Sequence, residues 1–186
     1  MTKTDRLRWD KKYSARDPEL DKPHPLLLKH RYLLNGGAAL DVACGRGQNA
    51  LWLGEIGYIV LGVDISPIAL RTAREHVTMS GLERLVRFEE VDLNSWAVPP
   101  LSYDLVIVFR FLDRRLFPHL KSSLKRGGLL LYATRHKGIL ERDPDTNPDY
   151  LLNKGELAGI FQNWEIIYQQ EGAENAEIVA RKPAAE

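Results

Sequence analysis

Sulfur is scarce in this chain. Cys44 is the single cysteine among 186 residues, which excludes an intrachain disulfide and any cysteine-built zinc site. No metal is expected. Charge of one sign is lacking too: the formal net charge is +1 with 27% charged residues, so there is no electrostatic case for a nucleic-acid partner. Long apolar runs are absent, none approaching the roughly 20 residues that cross a bilayer. The polar start Met1-Thr-Lys-Thr-Asp-Arg6 does not read as a signal peptide. A cytoplasmic protein with no membrane partner is expected. Repeats and low-complexity segments are missing as well.

What is present is an alternation of short apolar runs and amphipathic stretches. The length suits one substantial core. The expected division is an N-terminal segment, residues 1–22, followed by a single domain over 23–186. In the segment, Trp9 and Tyr13 stand at helical spacing in a polar surround. They predict either a helix pinned to the domain by two aromatics or a lid over the site. A helix over 24–34 follows, with Pro25 in its first turn and Gly36-Gly37 as its stop. Strands are expected at 38–43, 58–64, 86–92, 104–109 and 129–134, with helices at about 47–56, 66–80 and 113–125 between them. Such an order predicts an α/β fold with a parallel, doubly wound sheet. The polar stretch 135–150 precedes a short helix with Asn153 at its cap and Glu156 three residues on. Two more strands, 164–171 and 177–181, are separated by a link too short for a parallel crossover, so the sheet should end in an antiparallel hairpin.

The chain is organised around Ala38-Ala-Leu-Asp-Val-Ala-Cys-Gly-Arg-Gly-Gln-Asn-Ala-Leu51. A buried strand turns through Gly45 and Gly47 into a helix, leaving N–H groups unpaired where an electron-rich ligand can sit. The next strand ends in Asp64, about twenty residues past the glycines, the distance at which a βαβ unit delivers an acid to a ribose. Gly45-Arg-Gly47-Gln-Asn-Ala50 also fits a dinucleotide pattern, and Tyr150 and Lys154 have the spacing of a short-chain dehydrogenase pair. Yet the last serine is Ser123, leaving no serine upstream near that tyrosine to polarise a substrate. Acids at the ends of strands one, two and three (Asp41, Asp64 and Asp92) suit a ligand with an amine, a ribose and an adenine amino group instead. S-adenosylmethionine is such a ligand.

Leu40-Asp-Val-Ala-Cys-Gly-Arg-Gly47, Val63-Asp-Ile-Ser-Pro67, Glu90-Val-Asp-Leu93, Tyr103-Asp-Leu-Val-Ile-Val108 and Lys125-Arg-Gly-Gly-Leu-Leu-Leu-Tyr132 resemble successive motifs of the class I S-adenosylmethionine-dependent methyltransferases. The resemblance covers about residues 25–183. It implies a Rossmann-like, mostly parallel seven-stranded sheet, with S-adenosylmethionine as cofactor and S-adenosylhomocysteine as product. Within that family, the glycine stretch and the early Trp9-Asp-x-x-Tyr13 resemble the small tellurite-resistance and thiopurine-type enzymes.

Carried over, the resemblance implies that Gly45 and Gly47 meet the methionine part of the cofactor, with Asp41 orienting the loop or the ammonium. Ala43 stands where the family usually has its first glycine, which constrains the turn only if its φ is positive. Asp64 would accept from both ribose hydroxyls, and Ile65 would pack on adenine. Asp92 would take the adenine amino group, Leu93 would donate its backbone N–H to the ring, and Phe109 would lie near the sulfonium. Asp64, as a crevice acid, is not expected to hold the fold together. Arg110 follows a buried strand and needs a partner or a purpose: an anionic substrate, or a nearby acid such as Asp113 or Asp41. His136 is read either as a base at the crevice mouth or as a surface histidine; Cys44 is read as a packing residue. The absence of an obvious base favours a small thiol-like or metalloid-like acceptor, since a nucleophile ionised near neutrality needs none. The alternative is a non-catalytic S-adenosylmethionine-binding sensor or subunit.

Overall fold

The computed structural model describes residues 3–15 and 22–184. The part of the N-terminal segment at 1–2 and 16–21 lies outside the described residues. Two compact units divide the chain, Met1–Ala97 and Val98–Glu186.

In the first unit, α1 (Lys3–Ser14), α2 (Pro25–Lys29), β1 (Gly37–Val42), α3 (Gln48–Glu55), β2 (Tyr58–Asp64), α4 (Pro67–Met79) and β3 (Val86–Glu90) follow in order. β2 lies between β1 and β3, and both pairings are parallel, with Gly37 beside Tyr58 and Asp64 beside Glu90. β1 and β2 are buried almost end to end, as their unbroken apolar runs require of strands covered on both faces. Ser66 caps α4 through the Ala69 N–H, and Pro67 occupies its first turn. The helix then buries Ala69, Leu70, Ala73 and Val77 at three- and four-residue spacing, the stripe expected of a helix laid on a sheet. Gly47 enters α3 at φ 80°. A Cβ there would meet Phe88 at 2.5 Å, so only glycine fits.

In the second unit, β4 (Tyr103–Phe109) and β5 (Leu124–Arg135) pair in parallel, flanking α5 (Phe117–Ser123). After two single-turn 3-10 segments and α6 (Glu156–Ile160), the hairpin β6 (Glu165–Glu171) and β7 (Asn175–Arg181) returns antiparallel onto β5. The seven strands make a mixed, mostly parallel sheet ending in that hairpin, the Rossmann-like methyltransferase fold.

Several expected boundaries shift. The helix expected at 113–125 is α-helical only over Phe117–Ser123. Leu124 is extended, at φ −70° and ψ 136°, and the Lys182 ammonium donates to the Lys121 and Leu124 carbonyls, closing the helix early. β3 stops at Glu90, two residues short of Asp92. Glu156 does accept from the Asn153 N–H, but Gly155 at φ 74° is the cap residue. Glu156 is therefore the first helical residue, and both its oxygens also hold Arg114. Lys3–Ser14 is α-helical, the conformation that the helical spacing of Trp9 and Tyr13 suggested. No helix among the described residues is long and apolar enough to cross a membrane.

Candidate functional site

The loop between β1 and α3 is built from left-handed backbone. Ala43, Gly45 and Gly47 have φ of 55°, 56° and 80°. The Cys44 N–H donates to Val63 and the Gly47 N–H to Cys44, each at 3.0 Å. Ala43 thus carries the strain that its side chain brings to a positive φ.

Asp64 ties this loop to the next strand end. One carboxylate oxygen accepts from the Gly45 N–H at 2.8 Å and the other from the Ser66 N–H at 2.9 Å. It is buried, and burial raises its pKa, opposed by those N–H groups; the Asp10 carboxylate raises it further. The expectation that Asp64 leaves the fold untouched is therefore corrected: it positions two loops. The Ile65 N–H is a third backbone donor to this carboxylate, and the two oxygens together keep acceptor capacity beyond these. Asp41 is buried beside it, with one oxygen lacking a hydrogen-bond partner among the described residues. Burial first, then the charge of Asp64, holds the Asp41 carboxyl well above the usual carboxylate range, against a donation from Ala50. An orphaned buried oxygen next to a glycine loop fits a ligand that brings a donor or a positive charge. Cys44 is buried in the same loop, its thiol pushed up by burial and by Asp41 and Asp64. It is an inert packing residue, not an exposed low-pKa nucleophile.

Helix α1 lies across this unit's strand ends. Arg6 pairs with Glu90 at 2.9 Å, and Asp10 accepts from the Ser66 hydroxyl at 2.5 Å. The Tyr13 hydroxyl would lie 2.6 Å from a Cβ on Gly45. Residues 6, 10 and 13 share one helix face and touch, in turn, the ends of β3, β2 and β1. Trp9 stacks on Tyr13 with centroids 5.9 Å apart, and the Lys12 ammonium sits 4.3 Å over the Trp9 ring. Sequence reasoning named Trp9 and Tyr13 but missed Arg6 and Asp10; their four- and three-residue spacing was the available signal.

Ile65 and Leu93 are buried, whereas Asp92 is exposed and accepts from the Asn94 N–H at 2.9 Å. Asp92 thus sits in a turn past β3, not on the strand.

In the second unit Phe109 ends β4, buried, and Arg110 follows it exposed at φ 57°. Asp113 belongs to Arg115, which contacts both its oxygens at 2.9 and 2.7 Å, so the suggested Arg110–Asp113 pair does not form. His136 is buried, which overturns the surface reading. Its Nδ1 accepts from the Gly138 N–H and its Nε2 lies 2.9 Å from the Gly172 carbonyl. Both nitrogens are spent on backbone, in the tautomer with the proton on Nε2.

A family model described as a methyltransferase domain matches residues 39–128, from β1 into β5. A ubiquinone biosynthesis O-methyltransferase of Idiomarina loihiensis is 28% identical over 130 residues, 64% of this chain and 53% of that protein. A protein of Eikenella corrodens named hemagglutinin 1 is 28% identical over 145 residues, 71% of this chain and 45% of that one. The chain thus spans about half the length of these curated relatives. Among solved structures, TehB from Haemophilus influenzae superposes with a TM-score of 0.76 at 20% identity, covering 95% of this chain and 66% of that one; at that identity the likeness is one of fold.

Proposed function

We propose that the chain is a class I S-adenosylmethionine-dependent methyltransferase, as the methyltransferase-domain match over residues 39–128 supports, and that it transfers the cofactor's methyl group to a small-molecule nucleophile. The observation that carries this reading is Asp64, which joins the glycine loop to the start of α4 while retaining acceptor capacity, beside the orphaned oxygen of Asp41. Asp64 would hold the ribose hydroxyls, Asp41 the ammonium, and Gly45 and Gly47 the methionine part. Ile65 and Leu93 would flank adenine. Asp92 and Phe109 keep the roles that the resemblance gives them, as proposals. When bound, the cofactor would supply an electrophilic methyl group on a sulfonium, whose positive charge is lost from sulfur as the methyl passes to the acceptor's lone pair and a neutral thioether is left. The protein's work is then positioning and exclusion of water. Helix α1 is suited to both, and we assign residues 1–22 to a lid whose Tyr13 covers the glycine loop.

The acceptor is read from what is occupied. Backbone groups engage both nitrogens of His136, which supports a nucleophile needing no histidine base. A thiol-like acceptor fits this; a hydroxyl acceptor is the second reading, favoured by the relative named an O-methyltransferase.

One titration tests the proposal. S-adenosylhomocysteine should bind calorimetrically and raise the melting temperature, while NAD should do neither. Amide exchange in α1 should slow in the same samples. Binding of NAD alone would refute the cofactor assignment, and exchange unchanged by bound ligand would make α1 a fixed helix rather than a lid. Release of S-adenosylhomocysteine with thiols and phenols then separates the acceptors, and silence across both would favour a binding-only sensor or subunit.

A further inference from the structure

Arg110 combines three properties in one place. Its backbone is left-handed without being glycine, at φ 57°. That strain is held from both sides: the Arg110 N–H donates to the Ala133 carbonyl at 2.8 Å, and the Tyr132 hydroxyl donates to the Phe111 carbonyl at 2.8 Å. Strained residues that neighbouring structure over-determines concentrate at ligand sites. The side chain is exposed at the carboxyl end of a parallel strand, the end at which open α/β sheets take ligands.

Arg135 stands beside it. Phe109 is in register with Ala133, so Arg110 lies next to Thr134 and one residue short of Arg135. Ordinary strand spacing and rise place the two α-carbons roughly 6 Å apart. Arg135 is exposed, and its backbone is framed by Asn175 of β7 on one side and by the Leu152 N–H, donating at 3.1 Å, on the other. The carboxylates of this unit that form ion pairs are held by other cations: Asp113 by Arg115, Glu156 by Arg114, Glu174 by Arg142, Asp104 by Lys125 and Glu165 by Arg181. Neither the Arg110 nor the Arg135 guanidinium is engaged by another side chain among the described residues.

We propose that Arg110 and Arg135 form a receptor for an oxyanion, a carboxylate or phosphonate-like group on the methyl acceptor. This rests on the methyltransferase reading for the word acceptor, but the receptor itself is testable without turnover. Two guanidiniums on fixed backbone offer planar donor forks that match such groups. The left-handed start of the loop aims the first fork, and Tyr132, buried and hydrogen-bonded to Phe111, positions it.

Benzoate and phenylphosphonate, with benzamide as the neutral isostere, are the probes. Binding is followed by chemical-shift titration of the full chain. Both anions should bind and benzamide should not. Arg110→Ala should weaken the anions by about tenfold or more, the scale of hydrogen bonds to charged groups. Arg110→Lys should recover part of the loss. Arg110→Gly should lose binding while keeping or raising the melting temperature, since it removes the guanidinium and the strain together. Equal binding of benzoate and benzamide, or anion affinities unchanged in Arg110→Ala, would overturn the receptor, as would no anion binding at all. A parallel titration with S-adenosylhomocysteine keeps the two readings apart, because its failure would sink the cofactor assignment and leave the anion result standing.

Discussion

The two units use carboxylates in opposite ways. In the first, Asp41 and Asp64 are buried near each other and both are pushed towards the protonated form. In the second, Asp113 and Glu156 lie nearer the surface, each hydrogen-bonded to an arginine and pulled the other way. Burying a charge without a matched partner costs stability, whereas a surface pair contributes little to it. The first unit therefore carries an unfavourable arrangement that the fold alone does not need. Such an arrangement marks a place where something other than stability was selected.

Removing one acid from each unit tests this difference most strongly. Asp64→Ala should weaken S-adenosylhomocysteine binding by about 2–3 kcal/mol, on the scale of hydrogen bonds to a charged group. It should also cost stability, by roughly 2–4 kcal/mol in urea unfolding, because the Gly45 and Ser66 N–H groups lose their acceptor in a buried place. Glu156→Ala breaks a pair whose arginine side chain is 42% exposed, and should cost about 1 kcal/mol or less. Equal losses at the two sites would remove the contrast. Loss of stability without loss of affinity at Asp64 would leave it a purely structural acid.

Much of the first unit was legible in the residue order. The glycine loop, the Asp64 strand end and the Ser66-Pro67 helix start each depend on local chemistry, on φ, a cap hydroxyl or a fixed proline ring, and local chemistry can be read from sequence. Two of the expectations that failed depend on distant groups, and a third on a local turn. Nothing near residue 124 announces that Lys182 will close α5. His136 looked exposed in a polar stretch, yet Gly172, far along the chain, supplies the carbonyl that buries its Nε2. Asp92 was placed on a strand by its apolar neighbours, while the turn it makes with Asn94 ends that strand early. The family role of each site residue came from resemblance, since spacing alone left a dinucleotide open.

Titration sharpens the comparison at intermediate size. The folded pKa of Asp41 is raised, so in the range from about pH 4, where a free aspartate titrates, up to its folded value, the native protein keeps a proton that the unfolded chain has released. Stability must fall as pH rises through that range. For Asp113 and Glu156 the folded values are lowered, so their contribution is present above the ordinary carboxylate range and is lost as pH falls through the folded values. Without ligand, Asp41→Asn should therefore stabilise the protein more at pH 7 than at pH 4.5. Asp113→Asn should destabilise it at pH 7 and become neutral at the acid end. Melting curves across pH 3–8 decide this, and a pH-independent effect of Asp41→Asn would show an aspartate that titrates like a free one.

The smallest effect separates strain from burial inside the first unit. Ala43 and Gly45 have nearly the same backbone, φ 55° and 56°, but different side chains and different neighbours. An L-residue in this region costs about 1–2 kcal/mol, and a glycine gives back roughly 0.5–1 kcal/mol through its freer unfolded chain. Ala43→Gly should then stabilise by about 0.5–1 kcal/mol, the difference between those two effects. Gly45→Ala takes on the same strain and adds a methyl 2.6 Å from the Tyr13 hydroxyl, so the Tyr13 ring has to swing off the loop and α1 loses that contact as well. Its signature should be faster amide exchange in α1 together with lower stability, whereas Ala43→Gly should leave exchange in α1 unchanged. If Gly45→Ala destabilises but leaves α1 undisturbed, Tyr13 does not rest on the loop and α1 loses its claim to cover it. If Ala43→Gly destabilises, the methyl of Ala43 makes contacts worth more than the strain it carries, and the first unit's loop is held by packing rather than merely tolerated.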